Sequence, residues 1–153
     1  MIRRMELKDL AEIMIIEEDS FSKPWKKEDF IHEIVENDLA RCYVLEEDEK
    51  IIGYAMMWLL FENGDITNIA VCKDYRHQGY GQKLLSKLIE CAKENKLEYL
   101  FLEVRISNLP AISLYEKMGF ETVNTRKGYY DDGEDALVMI KDVGGLYEED
   151  FSD

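Results

Sequence analysis

The stretch Ile66-Thr67-Asn68-Ile69-Ala70-Val71-Cys72-Lys73-Asp74-Tyr75-Arg76-His77-Gln78-Gly79-Tyr80-Gly81 decides the fold, together with the residues that follow it. Its first six residues are those of a strand, Ile66 to Val71. Beyond the loop, Gly81, Leu84, Leu85, Leu88, Ile89 and Ala92 recur at helical spacing and mark a long amphipathic helix that ends near Asn95. Lys93 and Lys96 suit its negative end. The strand Tyr99 to Arg105 follows, and a strand-helix-strand crossover of this length implies a parallel pair. Gly79 and Gly81 admit backbone angles closed to other residues, so successive N–H groups can converge at a helix N-terminus. An anion site is expected there, with Arg76 and His77 or Lys73 adding charge that suits a pyrophosphate. Spacing alone also leaves room for an ordinary strand-to-helix turn.

Upstream, Met1 to Arg4 form a short strand, and Leu7, Leu10, Ile13, Met14 and Glu17 share one face of a helix. Pro24 breaks the helical run. A second helix runs from about Lys27 to Glu36 with Phe30, Ile31, Ile34 and Val35 inward. Strands Cys42 to Leu45 and Ile51 to Phe61 flank the polar segment Glu46 to Lys50 as a hairpin, and a turn at Glu62 to Asp65 leads into Ile66. Downstream, Ala111, Leu114, Tyr115 and Met118 share a helical face that closes at Gly119, and Glu121 to Arg126 pairs with Ala136 to Val143. The sum is a mixed α/β (α+β) domain with mainly antiparallel strands and one central parallel pair.

With 153 residues the chain fits one domain, 1–147, followed by an acidic tail, 148–153, expected to fray. No apolar run approaches the ~20 residues of a membrane helix and no signal peptide is evident, so a cytoplasmic protein without membrane contact is expected. A formal net charge of −14 repels a phosphate backbone and argues against direct nucleic-acid binding. The 3 cysteines, Cys42, Cys72 and Cys91, are widely spaced reduced thiols, and neither they nor His32 and His77 have metal-ligand spacing, so no metal is expected.

Thr67-Asn68-Ile69-Ala70-Val71, then Arg76-x-x-Gly79-x-Gly81, then an amphipathic helix resembles the coenzyme A signature of the GNAT acetyltransferases. Asn108-x-x-Ala111-x-x-Leu114-Tyr115-x-x-x-Gly119-Phe120 resembles their next signature. The resemblance begins at Ile2-Arg3, passes Asp9-Leu10 and Pro24-Trp25, and covers nearly the whole chain. It implies the GNAT fold, with helices on both faces of a sheet whose parallel pair is splayed, and acetyl-coenzyme A as co-substrate. It also implies that Ile69, Ala70 and Val71 hold pantetheine through their backbone. Arg76, His77, Gln78, Gly79, Tyr80 and Gly81 would hold the pyrophosphate, and Asn108 would contact coenzyme A.

A protein N-terminus has a pKa of about 7.7 to 8.0 and is mostly protonated at neutral pH, so acetyl transfer gains from a base. Glu103, near the end of its strand, is placed to take the proton directly or through water. Tyr115 can protonate the departing thiolate. By spacing, Glu103 reads equally as a solvated carboxylate paired with Arg105, Tyr115 as a core aromatic and Asn108 as a helix cap. The resemblance, which is nearest to the RimI-type ribosomal-protein acetyltransferases, assigns the base and acid roles to Glu103 and Tyr115.

The segment Arg126-Lys127-Gly128-Tyr129-Tyr130-Asp131-Asp132-Gly133-Glu134-Asp135-Ala136 also resembles the RimI branch. It implies Trp25, Tyr129 and Tyr130 as walls for a peptide acceptor, with Asp131, Asp132, Glu134 and Asp135 facing its basic residues. An ordinary acidic hairpin loop is the plainer alternative. The implied substrate is the N-terminal alanine of a small-subunit ribosomal protein. A polyamine, aminoglycoside or amino-acid acetyltransferase is the competing enzyme class, and a non-catalytic coenzyme A-binding module the competing non-enzyme.

Overall fold

The computed structural model describes residues 1–144, so the acidic tail inferred from the sequence lies outside the described residues. Seven strands are ordered β1-β2-β3-β4-β5-β7-β6 in one mixed sheet. The chain groups into two compact units, one of Met1–Leu59 with Thr67–Leu88 and the other of Leu60–Ile66 with the chain from Ile89 onward.

In the first unit, β1 (Ile2–Arg4) pairs antiparallel with β2 (Ala40–Glu47), and β2 with β3 (Lys50–Leu60). Asp48 and Glu49 alone form the β2–β3 turn, both with positive φ (49° and 64°), the backbone twist that a two-residue hairpin requires. β3 is buried from Ile51 through Met57, so it reads as a continuous apolar run and not as an alternating one. Helices α1 (Leu10–Ser20) and α2 (Lys27–Val35) pack Leu10, Ile13, Ile16 and Phe30 into a core with Val44, Tyr54 and Met56.

Two positions expected inward point outward. Leu7 belongs to a 3-10 turn ahead of α1 and is 50% exposed, and Val35, at the end of α2, is 57% exposed. Two glutamates are buried, Glu17 on the α1 face that its spacing marked and Glu33 on α2, where none was expected. Glu17 accepts hydrogen bonds from the Trp25 N–H (2.9 Å) and the Tyr54 hydroxyl. Glu33 accepts from Trp58 Nε1 (3.0 Å) and Asn37 Nδ2 (2.6 Å). For each glutamate one donor is near in the chain and the other, Tyr54 or Trp58, is brought by folding, so spacing alone does not show that the carboxylate can be buried.

The second unit holds the parallel pair. Strand β4 (Asn63–Val71) begins three residues before the expected strand, and Asn63, Gly64 and Asp65 pair with Tyr99, Leu100 and Phe101 of β5 (Tyr99–Arg105). The chain reverses at Phe61, with φ 57°, and Glu62, whose carbonyl accepts the Glu98 N–H at 2.7 Å. Asn63-Gly64-Asp65 has turn composition, yet its polar groups are satisfied by a strand more than thirty residues away. Strand β5 also pairs antiparallel with β7 (Ala136–Asp142), and β7 with β6 (Glu121–Arg126). Leu100, Leu102 and Val104 are buried, whereas Phe101, Glu103 and Arg105 form the alternate, half-buried face.

Candidate active site

The loop expected to bind pyrophosphate joins β4 to helix α3 (Tyr80–Glu94) within the first unit. His77 and Gly79 both have positive φ (63° and 86°) on either side of Gln78, which turns backbone groups of a short segment to a common side. Gly81 lies inside the first turn of α3, so the second special conformation expected of it belongs to His77. A Cβ built on Gly79 meets nothing within 4 Å, so the space beside its backbone is open to a ligand. A phosphate group fits that cradle. The Arg76 guanidinium donates to the Val71 carbonyl and to Ser20 Oγ, both at 3.0 Å, and so ties the loop to the end of β4 and to α1. Gln78 Nε2 donates to the Asp74 carbonyl at 3.2 Å. These two side chains shape the loop as well as lining it. Trp25, the acceptor wall expected from this unit, packs on Phe30 with ring centroids 5.3 Å apart.

Gly53 explains how tightly α3 approaches. A Cβ there would lie 2.9 Å from Leu84 Cδ1 and 3.0 Å from the Ala70 carbonyl oxygen, so β3 needs glycine at this crossing. Ala70 and Leu84 both belong to the signature stretch, and the same unit buries them.

Glu103, Tyr115, Tyr129 and Tyr130 all belong to the second unit. The Glu103 side chain is 20% exposed, and its Oε2 is cut off from solvent with no aligned hydrogen-bond donor. Arg126 Nε stands 3.4 Å from that oxygen, an ion-pair distance without hydrogen-bond alignment. Hydrogen bonding toward the Glu103 carboxylate first, then partial burial and that carboxylate's charge, push the Tyr129 phenol up to about 12. The plainer of the two sequence readings of Glu103 paired it with Arg105. The register instead puts Arg126 opposite Ala136 and Glu103 opposite Val138, so β6, β7 and β5 bring Arg126 to the Glu103 face.

Asp65 is a second carboxylate that the sequence reading missed, because it was assigned to the turn. It sits opposite Phe101, and burial, then the charge of Glu103, push its pKa up to about 6. Tyr115 lies on α4 (Leu109–Lys117), buried, with its ring 5.8 Å from that of Phe120. Burial first, then Tyr130, push the Tyr115 phenol above its ordinary value, so it keeps its proton and remains a donor.

The local sequence places Tyr115 through both ends of its helix. Asn108 Oδ1 accepts the Ala111 N–H at 3.3 Å as an N-cap, with Pro110 in the first turn. At the other end Phe120 N–H donates to the Tyr115 carbonyl (2.9 Å) and Gly119 N–H to the Glu116 carbonyl (3.0 Å), the two bonds of a Schellman motif. Gly119 has φ 94°, and a Cβ there would stand 2.6 Å from Lys141 Nζ.

The loop between β6 and β7 carries Tyr129 and Tyr130, with rings 5.1 Å apart and nearly perpendicular. Its acidic groups do not form an open rim. Asp132 and Glu134 pair with Arg105 at 2.8 and 2.9 Å, and Asp135 pairs with Lys127 at 3.1 Å and accepts the Gly128 N–H. Spacing could not show this, because the partner on β5 is about thirty positions earlier in the chain.

The three cysteines are free thiols, and burial pushes that of Cys42 up to about 11. Among the described residues no group of three or more His, Cys, Asp or Glu could hold a metal ion, and no helix is long and apolar enough to cross a membrane.

An acetyltransferase (GNAT) family model matches residues 10–120. The chain belongs to this GNAT family of acetyltransferases. A Bacillus subtilis (strain 168) protein provisionally named as a ribosomal protein bS18-alanine N-acetyltransferase is 43% identical over 139 residues, covering 90% of this chain and 92% of that one. The ribosomal protein bS18-alanine N-acetyltransferase of Escherichia coli (strain K12) is 35% identical over 141 residues, covering 90% and 94%. A crystal structure of the Escherichia coli ribosomal-protein-S18-alanine N-acetyltransferase superposes with a TM-score of 0.85 at 33% identity, over 94% of this chain and 93% of that one. The GNAT fold and the RimI-type resemblance are thereby established, and this acetyltransferase is similar to enzymes that modify a protein's alanine.

Proposed function

We propose that this GNAT enzyme transfers acetyl from acetyl-coenzyme A to the N-terminal α-amine of a protein, an alanine at the start of a small-subunit ribosomal protein. The observation that carries the chemistry is the Glu103 carboxylate, whose Oε2 is shielded from water and lacks a hydrogen-bond donor. A buried acceptor with spare capacity is a place for an arriving donor, and an ammonium group is such a donor. The names of the relatives support the acceptor.

Bound acetyl-coenzyme A would supply an activated acyl group as its thioester. Backbone groups of Ile69, Ala70 and Val71 would satisfy the amides of its pantetheine arm, and the segment from Arg76 to Gly81 would hold its pyrophosphate on N–H groups at the start of α3. The Val71 N–H would polarise the thioester carbonyl. Asn108, already an N-cap, would add a polar contact to the coenzyme.

Glu103 takes the proton of the incoming ammonium group, directly or through water. The freed nitrogen lone pair attacks the acyl carbon, and the bond from that carbon to sulfur breaks. The Tyr115 hydroxyl gives a proton to the departing sulfur, and the second proton shed by the new amide nitrogen restores that hydroxyl. The one net proton released is therefore the one Glu103 holds and passes to solvent. Trp25, Tyr129 and Tyr130 would wall the acceptor. With Asp132, Glu134 and Asp135 engaged by Arg105 and Lys127, the loop offers little anionic surface to a polyamine.

Thiol release measured with a basic peptide beginning with Ala, with a polyamine, and with no acceptor tests the reading. The peptide is expected to be turned over at least tenfold faster than the polyamine, and a set of peptides differing only in their first residue should rank Ala highest. Preference for the polyamine would replace the acceptor, and cofactor binding without turnover of any amine would leave a non-catalytic module.

A further inference from the structure

Arg105 has a position that neither cofactor binding nor proton transfer requires. It alternates with Glu103 on β5, so both rise from the half-buried face. Its Nη1 meets Asp132 Oδ2 at 2.8 Å and Glu134 Oε1 at 2.9 Å, and its guanidinium carbon lies 4.0 Å from the centre of the Tyr130 ring. A planar cation that lies on an aromatic face and donates to two carboxylates is fixed in orientation as well as position.

The loop it touches is built around these contacts. Tyr130 N–H donates to the Glu134 carbonyl (3.1 Å), Gly133 N–H to the Tyr130 carbonyl (2.8 Å) and Glu134 N–H to Asp132 Oδ1 (3.0 Å). Glu134 also accepts the Ser107 N–H at 2.9 Å, and the Asp135 carbonyl accepts the Ile106 N–H at 3.1 Å, so the loop is tied to the end of β5 twice more. Gly128 and Gly133, with φ of 60° and 90°, supply the left-handed turns. The neighbouring cations do not reach Tyr130 or the two carboxylates that Arg105 holds: Arg126 lies beside Glu103 and 5.7 Å from the centre of the Tyr129 ring, and Lys127 pairs with Asp135. Arg105 is therefore the group at which the acidic side of the loop and Tyr130 converge.

We propose that Arg105 is a positioning residue for the acceptor, holding the 127–135 loop so that Tyr130, and through ring contact Tyr129, stand pre-formed to receive the first residues of a peptide. This rests on the reading that the two tyrosines wall the acceptor. Pre-forming a wall lowers the ordering cost of binding, so its loss appears in KM for the acceptor. A lysine would keep the charge but not the planar fork or the ring stacking.

The test uses the full chain with Arg105→Gln and Arg105→Lys, and follows amide hydrogen exchange, KM for the Ala-initiated peptide, KM for acetyl-coenzyme A, and kcat. Exchange at Tyr130, Gly133 and Glu134 should quicken at least tenfold while β5 stays protected. KM for the peptide should rise about tenfold, with kcat within about threefold and the acetyl-coenzyme A KM unchanged. Arg105→Lys should show the same pattern with little rescue. Should either variant fail to fold, the pair Asp132→Asn with Glu134→Gln breaks the same clamp from the loop side and must give the same split. Unchanged exchange in the loop, or a loss confined to kcat or to acetyl-coenzyme A, overturns the proposal. Faster exchange with unchanged acceptor KM overturns it too. Wild-type preference for a polyamine would instead defeat the acceptor proposed above, and the clamp would then be held to the same KM split with that amine.

Discussion

Glu17 in the first unit and Glu103 in the second are both carboxylates withdrawn from water, and their surroundings differ in kind. Glu17 is 1% exposed and receives a backbone N–H from Trp25 and the hydroxyl of Tyr54. Glu33 and Asp9 in the same unit are treated alike. Burial disfavours the Asp9 charge, but two donors from Arg3, at 2.9 and 2.8 Å, and the Glu6 N–H outweigh it and hold the carboxyl below the usual carboxylate range. Glu103 has one tyrosine hydroxyl, a misaligned arginine, an orphan oxygen and a second carboxylate as neighbour. Saturated carboxylates brace a fold. An under-supplied one retains capacity for a proton, and the contrast separates architecture from chemistry without reference to sequence position.

Exchanging the two roles should have opposite signatures. Glu103→Gln should lower turnover near neutral pH by about 1,000-fold, within the range of a general base, and by less at high pH where the acceptor amine is already free. Stability should change by less than about 1 kcal/mol. A pH–rate profile checks it, and a uniform loss at every pH would mean that Glu103 positions the amine without taking its proton. Tyr115→Phe keeps the ring packed against Phe120 and deletes the donor, so it should cost about 100-fold in rate. An activated thioester, whose thiolate leaves without help, should recover most of that, and absence of recovery removes the acid role.

Glu17→Gln is the complementary variant. It turns an acceptor of two donors into a group with one donor of its own, so it should cost about 2 kcal/mol in chemical denaturation while the shape of the pH–rate profile survives. A changed profile would blur the distinction between the two glutamates. Gly79→Val should raise the Kd for acetyl-coenzyme A about tenfold or more, because a side chain would enter the open space beside the loop and strain a φ of 86°. Calorimetry on folded protein reads this, and unchanged affinity would move the pyrophosphate elsewhere.

The smallest effect tests the crowded side of the comparison. Folding raises the Asp65 pKa to about 6, above the unfolded value of about 3.9, so the protonated form suits the fold better. The destabilisation is absent below about pH 4, grows as pH rises from there to about 6 and is complete above it. Asp65→Asn should therefore stabilise the protein at pH 8 by on the order of 1 kcal/mol, after allowance for screening at a part-exposed site, and by little at pH 4. Thermal melts at the two pH values decide it, and an equal gain at both would show that Glu103 and burial are not the cause.

The signature stretch alone determined a great deal: a strand, a glycine loop and an amphipathic helix over 66–95, the crossover that follows, and the family resemblance that the comparisons bear out. The places of Glu103 on β5 and Tyr115 on α4 were legible because strand parity and helix spacing are local rules, while the roles proposed for them came from the resemblance; Gly119 was legible because a helix end needs a residue at positive φ. Asn63-Gly64-Asp65 was read as a turn and is strand, since its partner, β5, lies beyond a whole helix. Leu7 and Val35 were expected inside and are exposed, while Glu33, not foreseen there, is buried as is Glu17, which shared the inward face of α1, because donors brought by folding decide whether a carboxylate can be buried. The same holds for the acidic loop, whose charges meet Arg105 and Lys127, and for Arg126, which reaches Glu103 only through the register of β6 on β7 on β5. Periodicity and backbone conformation are carried by a few consecutive residues and can be read along the chain. Charge pairing and carboxylate protonation depend on distances between residues far apart in sequence, and only the tertiary structure sets those.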